Sequence, residues 1–408
     1  MEVLYPRCGG LDVHKKTVVA AVRIAEGRQV RTEVRRFATT TTALLALSDW
    51  LAAAEVTHVA MEATGVYWKP VWHVLDGAFE LVLGNAAHIR QVPGRKSDVT
   101  DAQWIAELLA HGLIRGSFVP PAPVQELRDL TRTRKQLGRE LTQHNLRIQR
   151  VLEDANIKLS SVISEVLGVS GRAILAALVG GETDPERLAA EAKGRLKCAP
   201  AELVEALRGR VTANHRFLIG EHLKMVDSLQ ARIAAFDAEI ERRLEPFPPA
   251  VERLATIPGV SQVAAQAIVA ELGVDMTRFP TVGQLRSWAG LCPRLDESAG
   301  KRRSTRIRKG APWLKAMLVQ CAWAAARAKG TYLQAQYQRL KSRRGGKKAA
   351  VAVAASILTA VYYMLRDGVD YRDLGADHFT HRDKGKIAAR LARRIRDLGY
   401  EVDIRQAA

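Results

Sequence analysis

The sequence predicts an α/β domain built on a mixed sheet, then a long helical arm, then a second domain that is mostly helical. Three observations carry this. Residues 8–115 alternate short β-rich runs with amphipathic helical patterns. Beyond residue 125, apolar residues recur at spacings of three, four and seven. Prolines punctuate the chain at Pro120-Pro121-Ala122-Pro123 and at Pro246-Phe247-Pro248-Pro249. These breaks divide the chain into residues 1–119, an arm over 120–250 with a helical insert over about 156–215, a domain over 251–375, and a charged tail over 376–408.

In the first domain the apolar run Cys8-Gly9-Gly10-Leu11-Asp12 reads as a strand ending in an acid. Thr17 to Ile24 and Val30 to Phe37 read as two strands of a hairpin turning at Glu26-Gly27. Thr39 to Ala54 is a helix with Leu44, Leu45, Leu47 and Leu51 on its apolar side, and Val56 to Met61 is a buried strand ending at Glu62. A short helix over Tyr67–Leu75, a strand over Phe79–Leu83 and a polar loop over Asn85–Lys96 follow. Asp98 and Asp101 then open a helix.

Two matching stripes follow. Leu127, Leu130, Leu137, Leu141, Ile148 and Leu152 form one; Val226, Leu229, Ile233, Phe236, Ile240 and Leu244 form the other. They predict an antiparallel coiled coil. Its first arm carries Arg128, Arg132, Arg134, Lys135, Arg139, Arg147 and Arg150. These are either a solvated face or a basic rail for a nucleic-acid backbone, and the charge balance favours the rail.

That balance is +19, with a pI of about 10.1 over 408 residues, so a polyanion is the expected partner and nucleic acid the leading one. No run of eighteen apolar residues is expected to span a membrane, and the N-terminus has no signal-peptide pattern. Cys8, Cys198, Cys292 and Cys321 lie far apart with no CxxC pair, which argues against structural zinc and fits a reducing cytoplasm.

Asp12, Glu62, Asp98 and Asp101 are the candidate catalytic acids. Acids at two strand ends and one helix start can meet at a sheet edge. Carboxylates without Cys or His partners suit a hard, oxygen-seeking cation such as Mg²⁺, as one or two ions. The competing reading for two of them is structural: Asp98 caps the helix and Asp101 is its capping-box partner. No such reading disposes of Asp12 and Glu62, which finish apolar strands where an unpaired charge is costly. His14, Lys15-Lys16, Thr64-Gly65 and Lys96 lie close by in sequence, and Lys15 and Lys96 are candidate phosphate contacts.

In the C-terminal part, Leu254 to Gly273 has the pattern of a helix-hairpin-helix element turning at Pro258-Gly259, where backbone N–H groups near Gly259 could hold a phosphate; an ordinary helical hairpin is the alternative. A basic loop follows: Lys301, Arg302, Arg303, Arg306, Arg308 and Lys309, framed by Gly300 and Gly310, with no acid among them. Ser298 stands just before it. A serine beside clustered cations can attack a phosphodiester, though Ser304 is a rival. Gly310 to Lys329 is a helix with Pro312 near its start. Lys341 to Lys348 is a second basic turn, either a backbone contact or a solubilising loop, and the apolar helix Ala349–Leu365 follows it.

Taken in order, Leu11-Asp12-Val13-His14-Lys15, Met61-Glu62-Ala63-Thr64-Gly65, Lys96-Ser97-Asp98-Val99-Thr100-Asp101-Ala102, Ile257-Pro258-Gly259-Val260, Gly290-Leu291-Cys292-Pro293 and Glu297-Ser298-Ala299-Gly300-Lys301 resemble the transposases of the insertion sequence 110 family. The resemblance runs from about Cys8 to Leu365 and is silent on the tail. It implies a RuvC-like, ribonuclease-H-type first domain whose Asp12, Glu62, Asp98 and Asp101 form a DEDD metal site. It implies Ser298 as a nucleophile that forms a transient phosphoserine link to DNA. It also implies double-stranded DNA partners, a structured guide (bridge) RNA, and dimers forming a synaptic tetramer in which the acids of one subunit work with the serine of another. Two other functions compete: a RuvC-like metal-dependent junction nuclease that uses water, and a non-catalytic nucleic-acid-binding scaffold.

Overall fold

The computed structural model describes residues 2–63, 65–92, 100–194, 196–245, 247–293, 297–304, 306–379 and 384–404. The chain forms two compact units, Met1–Val119 and Pro120–Ala408.

The first unit holds a five-stranded sheet in the order β3-β2-β1-β4-β5. Its strands are β1 (Arg7–Val13), β2 (Thr17–Glu26), β3 (Gln29–Ala38), β4 (His58–Glu62) and β5 (Glu80–Gly84). The first three pair antiparallel, while β1–β4 and β4–β5 pair parallel, so the sheet is mixed as expected. The hairpin between β2 and β3 turns through Gly27, whose φ of +62° suits a residue without Cβ. Alternation along β1 sends Leu11 and Val13 to one face, where they pack with Leu44, Leu47 and Leu51 of α1 (Thr41–Ala53) and with Val71 and Leu75 of α2 (Trp68–Leu75). Cys8 and Gly10 face the other way, towards α4 (Asp101–Ala110).

The predicted loop after Asn85 instead contains the helix α3 (Ala86–Gln91), whose six residues are too short to show a helical period in sequence. α4 also begins later than predicted. Thr100 is its N-cap and Gln103 completes the capping box: the Thr100 hydroxyl accepts from the Gln103 N–H at 3.3 Å, and the Gln103 side chain accepts from the Thr100 N–H at 3.0 Å. The capping roles considered for Asp98 and Asp101 thus fall to other residues at this helix. Asp101 is the first helical residue, whereas Asp98 and Lys96 lie outside the described residues.

The second unit opens with α5 (Ala122–Asp154), which returns along α10 (Ala213–Leu244). Glu126–Arg243, Arg134–Asp237, His144–His222 and Asp154–His215 pair across the two helices, a register only an antiparallel hairpin can give. Leu127, Ile148 and Leu152 are buried with Val226, Leu229, Ile240 and Leu244 along the seam. Between the arms, α6 (Leu159–Val162), α7 (Val169–Val179), α8 (Pro185–Ala190) and α9 (Pro200–Ala206) close over Ile148, Leu152, Ile219 and Val226 as a separate core.

The basic rail is largely absorbed by the unit itself. Arg128 donates to the carbonyls of Ala270, at 3.1 Å, and Glu271, the last turn of α12 (Gln262–Leu272). Arg132 forms a two-pronged bond with Glu271 at 2.7 and 2.8 Å, and Arg134 one with Asp237 at 2.7 and 3.0 Å. Lys135 reaches Gln320 at 3.2 Å. The Arg139 guanidinium lies over the Trp313 ring. Burial pulls the Arg128 pKa down to about 10, against the opposing pull of Glu271. The surplus of cations over acids does not reveal this pairing, because one buried acid, Glu271, one half-exposed acid, Asp237, and the Trp313 ring are enough to take up the first half of the arm.

Further helices among the described residues are α11 (Pro248–Ala255), a short 3-10 helix (Met276–Arg278), α13 (Val282–Trp288), α14 (Pro312–Ala325), α15 (Tyr332–Arg344), α16 (Gly346–Asp367) and a helix over Lys384–Arg396. α16 is long and apolar enough to cross a membrane by length and composition, which the sequence reading did not anticipate. Its residues Val353, Ala354, Ile357, Leu358 and Val361 are buried in the unit.

Candidate active site

Asp12 follows Leu11, which pairs with Met61 of β4, and Glu62 follows Met61. Parallel strands in this register end side by side, and alternation puts both carboxylates on the α4 face. Asp101 comes to them because α4 lies directly on β1. A Cβ built on Gly10 would stand 2.2 Å from the Ala102 carbonyl oxygen and 2.4 Å from the Ala106 nitrogen. Only glycine permits that approach. Ala21, Ala102 and Ala106 complete the small-residue contact.

The three acids line one cleft of about 340 Å³ with His14, Arg90, Ile89, Trp104 and Ile105. His14 Nε2 lies 3.1 Å from Asp12 Oδ2, and Arg90 Nη2 lies 3.7 Å from Glu62 Oε1. The Asp12 carboxyl is held above its ordinary pKa. Burial is the main cause, the nearby charges of Asp101 and Glu62 add to it, and His14 opposes them. A cleft that gathers three carboxylates offers the oxygen donors and negative charge that suit a hard cation. Among the described residues, no trio of acidic, histidine or cysteine side chains is set to enclose an ion as it stands. The donor set suits such an ion.

Arg90 escaped the sequence reading because it was placed in a loop. It sits in α3 and its guanidinium reaches Glu62. Lys15 is exposed in the turn between β1 and β2, three residues beyond Asp12. Thr64 lies outside the described residues.

Ser298 belongs to the second unit. It ends β6 (Glu297–Ser298), which pairs antiparallel with β7 (Lys301–Arg302), with Ser298 opposite Lys301. The two turn residues Ala299 and Gly300 have φ of +50° and +71°, the left-handed sense a tight two-residue hairpin needs. The predicted loop is therefore a hairpin whose tip begins at Ser298. Its base is closed where Gly290 and Gly310 cross, too close for a Cβ on either, and by the Ala311 N–H donating to Trp288 O at 3.1 Å. Lys301, Arg303, Arg306, Arg308 and Lys309 are exposed along it; Arg302 contributes its backbone to β7. Ser304, the rival serine, accepts a bond from the Arg306 N–H at 3.2 Å, a local turn role.

Gly259 has φ of +85° in the turn between α11 and α12, and a Cβ there would lie 2.4 Å from the Ala325 nitrogen. Close packing on α14 therefore accounts for this glycine. Ser261 caps α12 by accepting from the Ala264 N–H at 3.3 Å.

Comparison with known proteins finds family matches in both parts of the chain. Residues 9–157 match the DEDD transposase domain of IS110, and residues 251–338 match the transposase domain of the IS116/IS110/IS902 family. The chain is also 32% identical over 144 residues to the insertion element IS110 uncharacterized 43.6 kDa protein of Streptomyces coelicolor, a match spanning 34% of each chain, so only about a third of that relative's length is covered. With both of its characteristic domains present and in order, the chain belongs to the insertion sequence 110 family of transposases.

Proposed function

We propose that this protein is the DNA transposase of an insertion sequence, cutting and rejoining DNA through a metal-dependent acidic site and a serine nucleophile. The observation that carries the proposal is the convergence of Asp12, Glu62 and Asp101 from two strand ends and a helix start into one cleft. The strand order, with its antiparallel hairpin beside two parallel strands, suits a RuvC-like, ribonuclease-H-type domain.

Asp12, Glu62 and Asp101, with Asp98, would hold Mg²⁺. When bound, such ions neutralise charge on a scissile phosphate and its leaving oxygen. The protein's own part is to position. Gly10 sets α4 on the sheet, α4 carries Asp101, and His14 and Arg90 stand beside the carboxylates of Asp12 and Glu62. Ser298 Oγ would attack the phosphorus. A serine–phosphate bond forms, the bond to the leaving DNA oxygen breaks, and that oxygen takes up a proton while the serine loses one. Attack by a DNA hydroxyl reverses the step and rejoins the strand. Lys301 and its neighbours supply positive charge as the phosphate gains negative charge. A structured guide RNA and a homo-oligomeric assembly complete the proposal by family resemblance.

Strand exchange between element ends and target DNA tests this. Asp12→Ala, Glu62→Ala, Asp98→Ala, Asp101→Ala and Ser298→Ala should each abolish it. Retained cleavage in Ser298→Ala would assign the protein to the water-using nucleases. Retained exchange in the acid variants would end the metal-site proposal.

A further inference from the structure

The second basic turn has not been used by the site described above. Lys341, Arg343 and Arg344 close α15, Gly345 and Gly346 turn the chain, and Lys347 and Lys348 open α16. All five cations are exposed, and none makes an ion pair among the described residues. The placement is electrostatically one-sided. Cations suit the end of α15, but Lys347 and Lys348 occupy the first turn of α16, where the helix dipole disfavours them and where there is no acid. Intramolecular contacts leave this charge uncompensated, unlike that of Arg128, Arg132 and Arg134.

The turn is also backed by rings. Gly345 has φ of +80°. A Cβ on Gly346 would stand 3.1 Å from the Tyr337 hydroxyl and 3.6 Å from the Trp323 ring. Trp323 packs obliquely on Tyr337, with ring centroids 5.7 Å apart. Tyr337 is buried, yet Trp323 is 42% exposed. A large aromatic ring left in water beside five unpaired cations is the combination that binds unpaired nucleotides: the cations take phosphates, and the ring takes the face of a base. A base within a duplex has no free face to offer.

We propose that Trp323 and the Lys341–Lys348 turn form a binding site for single-stranded nucleic acid, with Trp323 stacking on an unpaired base. The site lies outside the acidic cleft and the Ser298 hairpin. It extends the nucleic-acid reading given above, and it is tested without strand exchange. Short single-stranded DNA, single-stranded RNA and duplex DNA of mixed sequence are titrated against the full-length protein, with Asp12→Asn as background so that nothing is cut. Trp323→Ala should weaken single-strand binding about fivefold to a hundredfold, the range of one lost base stack, with duplex binding unchanged. Trp323→Phe should recover most of it. Lys347→Gln with Lys348→Gln should weaken binding of every strand and flatten its salt dependence. The RNA and DNA arms identify the preferred strand. Thermal unfolding confirms that each variant is folded. If Trp323→Ala, shown to be folded, binds single strands like the parent, the site is overturned, and the turn is a solubilising loop. If the parent binds no nucleic acid at all, the transposase reading falls instead.

Discussion

The carbonyl oxygen of Ala102 fills the space where a side chain on Gly10 would begin. Through this one contact a helix and a strand far apart in sequence bring Asp101 to the ends of β1 and β4. Gly10→Ala must therefore push α4 away from the sheet. Overpacking of this kind typically costs about 1–3 kcal/mol, and the clash here is with backbone, which cannot rotate aside. Urea unfolding should show the loss. Strand exchange should fall further than stability alone explains, because the acids separate. An alanine variant as stable and active as the parent would show that the helix does not need this approach.

Asp12 gives a pH signature. Its carboxyl titrates above the ordinary value in the folded chain, so the folded state binds that proton more readily than the unfolded chain does. The ionised group then weakens the fold at neutral pH, and the penalty is relieved as pH falls through the raised value. In chelator, Asp12→Asn should melt higher than the parent near neutral pH and lose this dependence, while failing in strand exchange. Divalent cation should raise the parent's melting temperature and leave the variant's unmoved; saturation at a hundred times Kd corresponds to about 2.7 kcal/mol. A variant that melts lower than the parent at neutral pH would contradict the cost of burying this charge among other acids.

Glu271 is only 4% exposed and holds both Arg128 and Arg132. Glu271→Gln leaves two guanidinium groups against a neutral amide. Removing one partner of a buried ion pair costs about 3–5 kcal/mol. Calorimetry should find the second unit destabilised by a sizeable part of that. A double change of Glu271 and Arg132 to a well-packed apolar pair should recover much of the loss, which separates the ion pair from simple packing.

Ala299 stands in a left-handed conformation that costs an L-residue about 1–2 kcal/mol. Ala299→Gly should relieve it and keep strand exchange. Ala299→Pro cannot adopt the turn, since proline fixes φ near −65°. It should lose strand exchange while divalent cation still stabilises the first unit, measured by its melting shift. Activity in the proline variant would detach the hairpin from the chemistry.

The α/β order of the first unit and the long helical hairpin were legible because period-two and period-seven apolar patterns survive over many residues. Asp12 and Glu62 were legible for a related reason: a charge ending an apolar strand stands out. Short elements were not legible. α3 spans less than two turns, and the Ser298 hairpin has two residues per strand, so neither leaves a periodicity. The true cap of α4, Thr100, was passed over in favour of acids that also suit a helix start. The fate of the arm's arginines depended on Glu271 and Trp313, more than a hundred residues away, and no local pattern announces such partners.

The helical hairpin has a mechanical corollary. At 1.5 Å per residue, the 33 residues of α5 extend about 50 Å. The insert rides at one end of this length, and the grip of Arg128 and Arg132 on Glu271 lies near the other. The arrangement sets the insert at the far end of a long arm whose base is held by a buried ion pair. Any change of angle at Glu271 would be magnified along that length, so the ion pair fixes where the insert stands.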